Sequence, residues 1–303
     1  MAECCLEKYK ELDKLFKIIA FDWDGTAVEN RYADASSVVE KLGRLLKLGR
    51  YIFIITGTNI KNVTRQTGSL ASPKIPPNLY FMTNRGSEVY TSKPEGNILV
   101  YSRIATDMEN KKMDQIVQYV KKTIEENSNL SVDIIYNRLN RRKIDLIPEW
   151  ADTPKSMIDE LMLKTEERLE RGGFKGGIKR AYNLLVKTAM LFGLENPKIT
   201  SDVKHLEIGL TDKADSIKWI LSNVAQNYGI SDEEIIVAGD EFGEIAGFEG
   251  SDSRMILDNH SKISYISFGV EPNGVPERIT HAGGGASCFE NFLAMQISGI
   301  SNI

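Results

Sequence analysis

Residues 17–26 read Lys17-Ile18-Ile19-Ala20-Phe21-Asp22-Trp23-Asp24-Gly25-Thr26. A short apolar run ends abruptly on an aspartate. A segment that is apolar on both faces predicts a strand buried in a parallel sheet. Residues 51–55, Tyr-Ile-Phe-Ile-Ile, repeat the pattern and end on Thr56. Between the two runs, Val38, Val39, Leu42, Leu45 and Leu46 recur at helical spacing. Gly49 is placed to end that helix. A strand-helix-strand unit of this kind makes the sheet parallel and the crossover right-handed.

Outward from this unit, Leu79 to Met82 reads as a third strand running into Thr83-Asn84-Arg85-Gly86. Ile235 to Ala238 reads as a fourth and ends at Gly239-Asp240. Met255 to Leu257 and Tyr265 to Phe268 read as two more. Ala214, Ile217, Leu221, Val224 and Tyr228 mark an amphipathic helix before the fourth strand, and Phe289, Phe292 and Leu293 a last one. The expected class is α/β, with a doubly wound, mainly parallel, Rossmann-like sheet.

The middle of the chain has another texture. A helix carrying Met113, Ile116, Val117, Val120 and Ile124 precedes two alternating strands, Val132-Ile134-Tyr136 and Ile144-Leu146. Two helices bounded by Gly172-Gly173 and Gly176-Gly177 follow, then a strand with Leu206 and Ile208. Half-polar alternation predicts an antiparallel sheet with one open face. The organisation expected is a core domain of residues 1–103 and 210–303, with an α+β domain of residues 104–209 inserted into it.

Composition narrows the class. The chain has 303 residues, a net charge of -4 and 42% hydrophobic residues. That leaves no strong basic footprint for nucleic acid. No apolar run approaches the ~20 residues of a membrane span. Residues 1–13 carry charges throughout and no apolar signal core. The three cysteines, Cys4, Cys5 and Cys288, give no disulfide framework by their odd count, which fits a reduced, cytoplasmic setting.

In open α/β sheets ligands bind beyond the carboxyl ends of the strands. Three apolar runs end on Asp22, Thr56 and Asp240, so these side chains converge on one edge. Asp22 and Asp24 stand two residues apart, and Gly25 lets the backbone turn sharply beside a ligand. A carboxylate can attack phosphorus, and a divalent cation is then needed to screen two like charges. Mg²⁺ prefers a sparse shell of carboxylates and waters, which Asp22 and Asp240 can supply. An Asp-Gly turn is the alternative. Thr56-Gly57-Thr58-Asn59 offers a hydroxyl and backbone N–H groups at a helix start, suited to phosphate; alone it reads as a plain helix cap. Lys213, at a helix N-terminus, opposes the dipole unless it meets an anion; alone it reads as a solvated lysine. Glu241 and Glu244 follow Asp240 on an acidic turn.

Taken jointly, these residues resemble the haloacid dehalogenase superfamily of phosphohydrolases. Asp22-x-Asp24-x-Thr26 resembles its first motif, Thr56 its second, Lys213 its third, and Gly239-Asp240 with Glu244 its fourth. An insert between the second and third motifs is similar to the Cof-type sugar phosphatases and phosphomannomutase-like enzymes. The resemblance implies Asp22 as nucleophile and Asp24 as general acid and base. It implies Thr56, Gly57 and Lys213 around the phosphoryl group. Asp22, Asp240 and the Asp24 carbonyl would hold Mg²⁺, with Glu244 or Glu241 reaching it through water. Where the family presents an Asn-Asp or Asp pair, this chain has Gly243-Glu244; Asp252 stands as a further acid or a turn residue. Trp23 reads as packing, and His281-Ala282-Gly283-Gly284-Gly285 as a loop before the last helix, an approach to phosphate being the alternative.

Alternation places Arg141, Lys143 and Asp145, and likewise His205 and Glu207, on the insert's open face. There Arg141, Lys143 and His205, with Arg85 past the third strand, could bind substrate; a solvated hairpin is the alternative. The implied activity is Mg²⁺-dependent hydrolysis of a small phosphorylated metabolite, a sugar phosphate. A phosphomutase acting through a sugar bisphosphate, and a non-catalytic sugar-phosphate sensor, are the competing readings.

Overall fold

The computed structural model describes residues 10–70, 77–93, 95–150, 158–245 and 247–301. The chain forms two compact units. One comprises Met1–Ser102, Asp212–Glu244 and Gly250–Ile303, and the other Arg103–Thr211 with Ile245–Glu249.

The first unit opens with β1 (Ile18–Asp22), α1 (Ser36–Lys47), β2 (Tyr51–Ile55), α2 (Ile60–Thr67) and β3 (Leu79–Thr83). Gly49 ends α1 with a left-handed φ of 77°, and its N–H bonds back to the Leu46 carbonyl. Two antiparallel strands follow, β4 (Glu88–Lys93) and β5 (Gly96–Ser102). Neither was expected from the sequence.

The second unit contains α3 (Asp107–Glu126), β6 (Asp133–Arg138), β7 (Arg141–Asp145), α4 (Ile158–Arg171), α5 (Gly177–Leu191), β8 (Lys198–Ser201) and β9 (His205–Gly209). Its sheet is antiparallel in the order β6-β7-β9-β8. β8 is an additional strand beyond the three expected. Ile144 pairs with Leu206 and faces the helices, where both join Met113, Ile116, Val120 and Ile124 in one buried cluster. Arg141, Lys143 and Asp145 pair with Gly209, Glu207 and His205 on the opposite face. That face was expected to be open, yet Arg141 is 6% exposed and Glu207 1%.

The chain returns to the first unit with α6 (Lys213–Ile220), a π turn at Leu221–Ala225, α7 (Gln226–Tyr228) and β10 (Ile235–Gly239). Short strands β11 (Glu244–Ile245) and β12 (Phe248–Glu249) pair, Ile245–Glu249 belonging to the second unit, and β13 (Ser264–Ser267), β14 (Thr280–His281) and α8 (Gly285–Ser301) complete the first. The large sheet runs β14-β13-β10-β1-β2-β3-β4-β5, parallel from β14 to β3. Successive β1 residues serve opposite faces. Ile19 and Phe21 pack with residues of α1 and α8, and Ile18 and Ala20 with Ile217 and Ile220 of α6. Both faces are therefore covered, which is why the strand reads apolar throughout. Phe21 pairs with Ile54 on one side and Ala238 on the other, so Asp22, Thr56 and Asp240 emerge together at one sheet edge.

Two expectations need correction. Met255 to Leu257 is not a strand: Ser251–Met255 is a 3₁₀ turn, and Ile256 and Leu257 follow it outside any strand. Cys288 is disulfide-bonded, so the odd cysteine count did not preclude a bridge. Cys4 and Cys5 lie outside the described residues. Among the described residues, no helix is long and apolar enough to cross a membrane.

Candidate active site

Each predicted corner can be followed from its element. Asp22 is the last residue of β1 and is buried. The chain then turns tightly, with Gly25 N–H donating to the Val28 carbonyl at 2.7 Å and Asp24 bridging to Val28. Gly25 has φ 103°, and a side chain there would fall 2.3 Å from Asp240 Oδ2. Only glycine lets the Asp240 carboxylate lie against this turn. Thr26 Oγ1 donates to Asp240 Oδ1 at 3.1 Å. Trp23 is buried and donates through Nε1 to Gln66, which makes it a packing residue as expected.

Asp212 caps α6: its carboxylate accepts the Ala214 N–H, and the Asp215 carboxylate accepts the Asp212 N–H. That cap fixes Lys213 at the first helical position, where the dipole opposes a cation. The side chain is nonetheless 5% exposed, because Nζ donates to Asp22 Oδ1 at 2.7 Å, to Asp252 Oδ1, and to Ser251 Oγ at 3.1 Å. Burial alone pushes the Lys213 pKa down. The nearby Asp22, Asp252 and Glu241 carboxylates outweigh burial, and the net direction is upward.

Asp252 is fully buried and ties two segments together. While Oδ1 meets Lys213, Oδ2 accepts the N–H groups of Asp240 and Glu241 at 2.9 and 3.0 Å. Oxygens of Asp22, Asp240 and Asp252 all lie within 4.8 Å of one another. Three carboxylates and one ammonium leave an excess of negative charge on hard oxygen donors, a set that fits Mg²⁺. Glu244 is exposed at the start of β11 and is not in this cluster. The acid that joins Asp240 in the cluster from beyond β10 is Asp252, twelve positions further on. No local spacing signal in the sequence marks so long a gap.

Thr56 is buried past β2, and its Oγ1 accepts the Thr58 N–H at 3.2 Å. Asn59 caps α2. Asn84 and Arg85 both have left-handed backbones, with φ of 50° and 54°. Their N–H groups donate to the carbonyls of Thr58 and Thr56. A side chain at Gly57 would meet Arg85 Nε at 3.6 Å, so the arginine lies along the turn that carries Thr56.

The haloacid dehalogenase-like hydrolase family matches residues 19–263. This chain belongs to that family. No curated protein matches the hydrolase. Among solved structures, the IMP-bound, N-terminally truncated IMP-nucleotidase of Plasmodium falciparum is similar, with TM-score 0.58 and 11% identity over 95% of this chain and 70% of that one. The trehalose-6-phosphate phosphatase of Aspergillus fumigatus is similar too, with TM-score 0.54 and 14% identity over 95% and 96% of the two chains. At these identities the likeness establishes the fold.

In the hydrolase's second unit, the charged sheet face forms its own network. Glu207 takes an ion pair from Arg141 Nη1 at 2.6 Å and another from Lys143. Arg141 Nη2 also donates to the Thr211 carbonyl. His205 Nδ1 lies 3.0 Å from both Asp202 oxygens, and Lys204 Nζ 3.3 Å from Asp145. His281 lies in β14 rather than in the loop expected for it, and its Nε2 contacts the Gly269 carbonyl.

Proposed function

We propose that this hydrolase cleaves a small phosphorylated metabolite, a sugar monophosphate, through an aspartyl-phosphate on Asp22. The observation that carries the reading is the buried Lys213 ammonium between Asp22 and Asp252, with Asp240 beside them. Such a cluster joins a nucleophile, a cation and a metal-binding carboxylate at one strand edge.

An Asp22 oxygen attacks phosphorus and the bond to the leaving oxygen breaks. Asp24 gives that oxygen a proton. It then takes a proton from the water that attacks the aspartyl phosphate, which releases phosphate and restores Asp22. Lys213, Thr56 and the Gly57 N–H hold the phosphoryl oxygens. Asp22, Asp240 and the Asp24 carbonyl would hold Mg²⁺, which supplies charge neutralisation at those oxygens. Asp252 keeps the Asp240 turn and Lys213 in register.

Two observations support a monophosphate over a bisphosphate. The cations of the second unit's charged face, Arg141, Lys143 and Lys204, are each ion-paired. A paired face suits hydroxyl groups better than a second phosphate. The similar structures include an IMP-nucleotidase and a trehalose-6-phosphate phosphatase, both consistent with a small phosphorylated substrate.

The test is a panel of sugar, polyol and nucleotide monophosphates assayed for phosphate release with Mg²⁺ and with chelator. Release that the chelator abolishes is expected. Activity only with added hexose bisphosphate, and little free phosphate, would establish a mutase instead. Tight binding without turnover would establish a sensor.

A further inference from the structure

The turn after β10 is held by two buried carboxylates in succession. The N–H groups of Asp240 and Glu241 donate to Asp252, as described above. The next two, of Phe242 and Gly243, donate to Glu271 Oε1 and Oε2, both at 2.7 Å. Ser267 Oγ, at the end of β13, donates to the same Oε1 at 2.8 Å. Glu271 is 8% exposed and has a left-handed φ of 47°, uncommon outside glycine.

The surrounding glycines leave the turn little room to move. A side chain on Gly243 would fall 2.2 Å from the Gly274 carbonyl and 2.5 Å from Glu271 Oε2. One on Gly269 would fall 2.0 Å from the Asp240 carbonyl. The segment carrying Asp240 is therefore packed directly against residues 267–274.

We propose that Glu271 is a positioning residue for the cation site: by fixing the Asp240–Gly243 turn, it sets where the Asp240 carboxylate stands relative to Asp22. The proposal rests on the reading of Asp22 and Asp240 as Mg²⁺ ligands. Glu271 does not touch the reacting atoms. Its two oxygens can each accept one of the adjacent N–H groups, which an amide cannot do, because its nitrogen donates.

The experiment compares wild type with Glu271→Gln and Ser267→Ala. Mn²⁺ binding is read by electron paramagnetic resonance in the absence of substrate, Mg²⁺ dependence by phosphate release, and folding by urea titration. Residues that orient metal ligands affect metal affinity by ~10–100-fold. Glu271→Gln is expected to weaken Mn²⁺ binding and raise the Mg²⁺ requirement by about that factor, with kcat at saturating Mg²⁺ within about threefold of wild type. Ser267→Ala, which removes one donor, is expected to weaken Mn²⁺ binding by about twofold to fivefold.

Folded variants that bind Mn²⁺ as wild type does would overturn the proposal, whatever their stability. Should Glu271→Gln not fold, unchanged Mn²⁺ affinity in Ser267→Ala overturns it. Wild type that binds Mn²⁺ and releases phosphate while the variants match it removes this inference alone. Wild type that does neither removes the phosphatase reading as well.

Discussion

Lys213 shows how a residue that is misplaced by local rules can be explained by distant ones. A cation at the start of α6 is unfavourable for the dipole unless it meets an anion, and by local rules alone Lys213 reads as a solvated lysine. The structure supplies two anions, Asp22 and Asp252. Its folded-state pKa is raised, so the ion-pair stability is present below the ordinary lysine value and is lost only as pH rises above it. Asp252 was less legible, because a Gly-Ser-Asp turn reads the same whether or not it folds back onto a strand twelve residues away. Glu244 was legible by order alone, and it is exposed, outside the carboxylate cluster. Arg85 permits a sharper test. A left-handed backbone costs a non-glycine residue ~1 kcal/mol or more, so Arg85→Gly is expected to leave stability unchanged or raise it by about that amount. If the guanidinium grips substrate beside Thr56, the same variant raises KM by about tenfold with kcat little changed. An unchanged KM across the panel would remove Arg85 from the binding site.

Elements buried on both faces were the most legible. β1, β2, β3 and β10 appear within a residue of their expected bounds, because uninterrupted apolar runs leave few alternatives. β5 went unread although Ile98, Leu99, Val100 and Tyr101 form such a run; all four are exposed at the sheet edge, so here an apolar run does not mark burial on both faces. Met255, Ile256 and Leu257 misled in the opposite sense. Met255 is buried at the end of a 3₁₀ turn and Ile256 and Leu257 pack partly against the same core, so a bend carries a strand's composition. Helix α3 yields a prediction at this scale. Thr106 accepts the Glu109 N–H, and Glu109 returns to the Thr106 N–H and to Arg103. Thr106→Ala should cost about 1 kcal/mol in urea unfolding. The Arg103 hydrogen bond and the Thr106 N–H hold the Glu109 carboxyl down to about 2. A depressed folded-state pKa means that its contribution is present above the ordinary glutamate value of 4.5 and fades as pH falls toward 2. The cost of Glu109→Gln should therefore shrink across that window, and a cost independent of pH would contradict the assignment.

At the scale of the molecule, the chain builds more than one core. The cluster around Val120, Ile144 and Leu206 belongs wholly to the second unit, while the clusters on the two faces of the large sheet belong to the first. Separate cores allow separate unfolding. Calorimetry is expected to resolve two transitions, and Ile116→Ala, at a fully buried position, to lower one of them by about 3 kcal/mol while leaving the other in place. A single transition shifted as a whole would refute that independence. The proposed catalytic groups are concentrated in the first unit, at the edge where Asp22, Asp240, Asp252 and Lys213 meet. Asp22 is the residue proposed to carry the phosphoryl group. The most direct measurement is acid quench during turnover, followed by peptide mass spectrometry of wild type and Asp24→Asn with Mg²⁺ and an accepted substrate. A phosphoryl group on the Asp22 peptide is expected, enriched in Asp24→Asn because the hydrolytic water is no longer activated, and absent from Asp22→Asn. Rapid turnover by Asp22→Asn, or a phosphoryl group on another residue, would contradict the account.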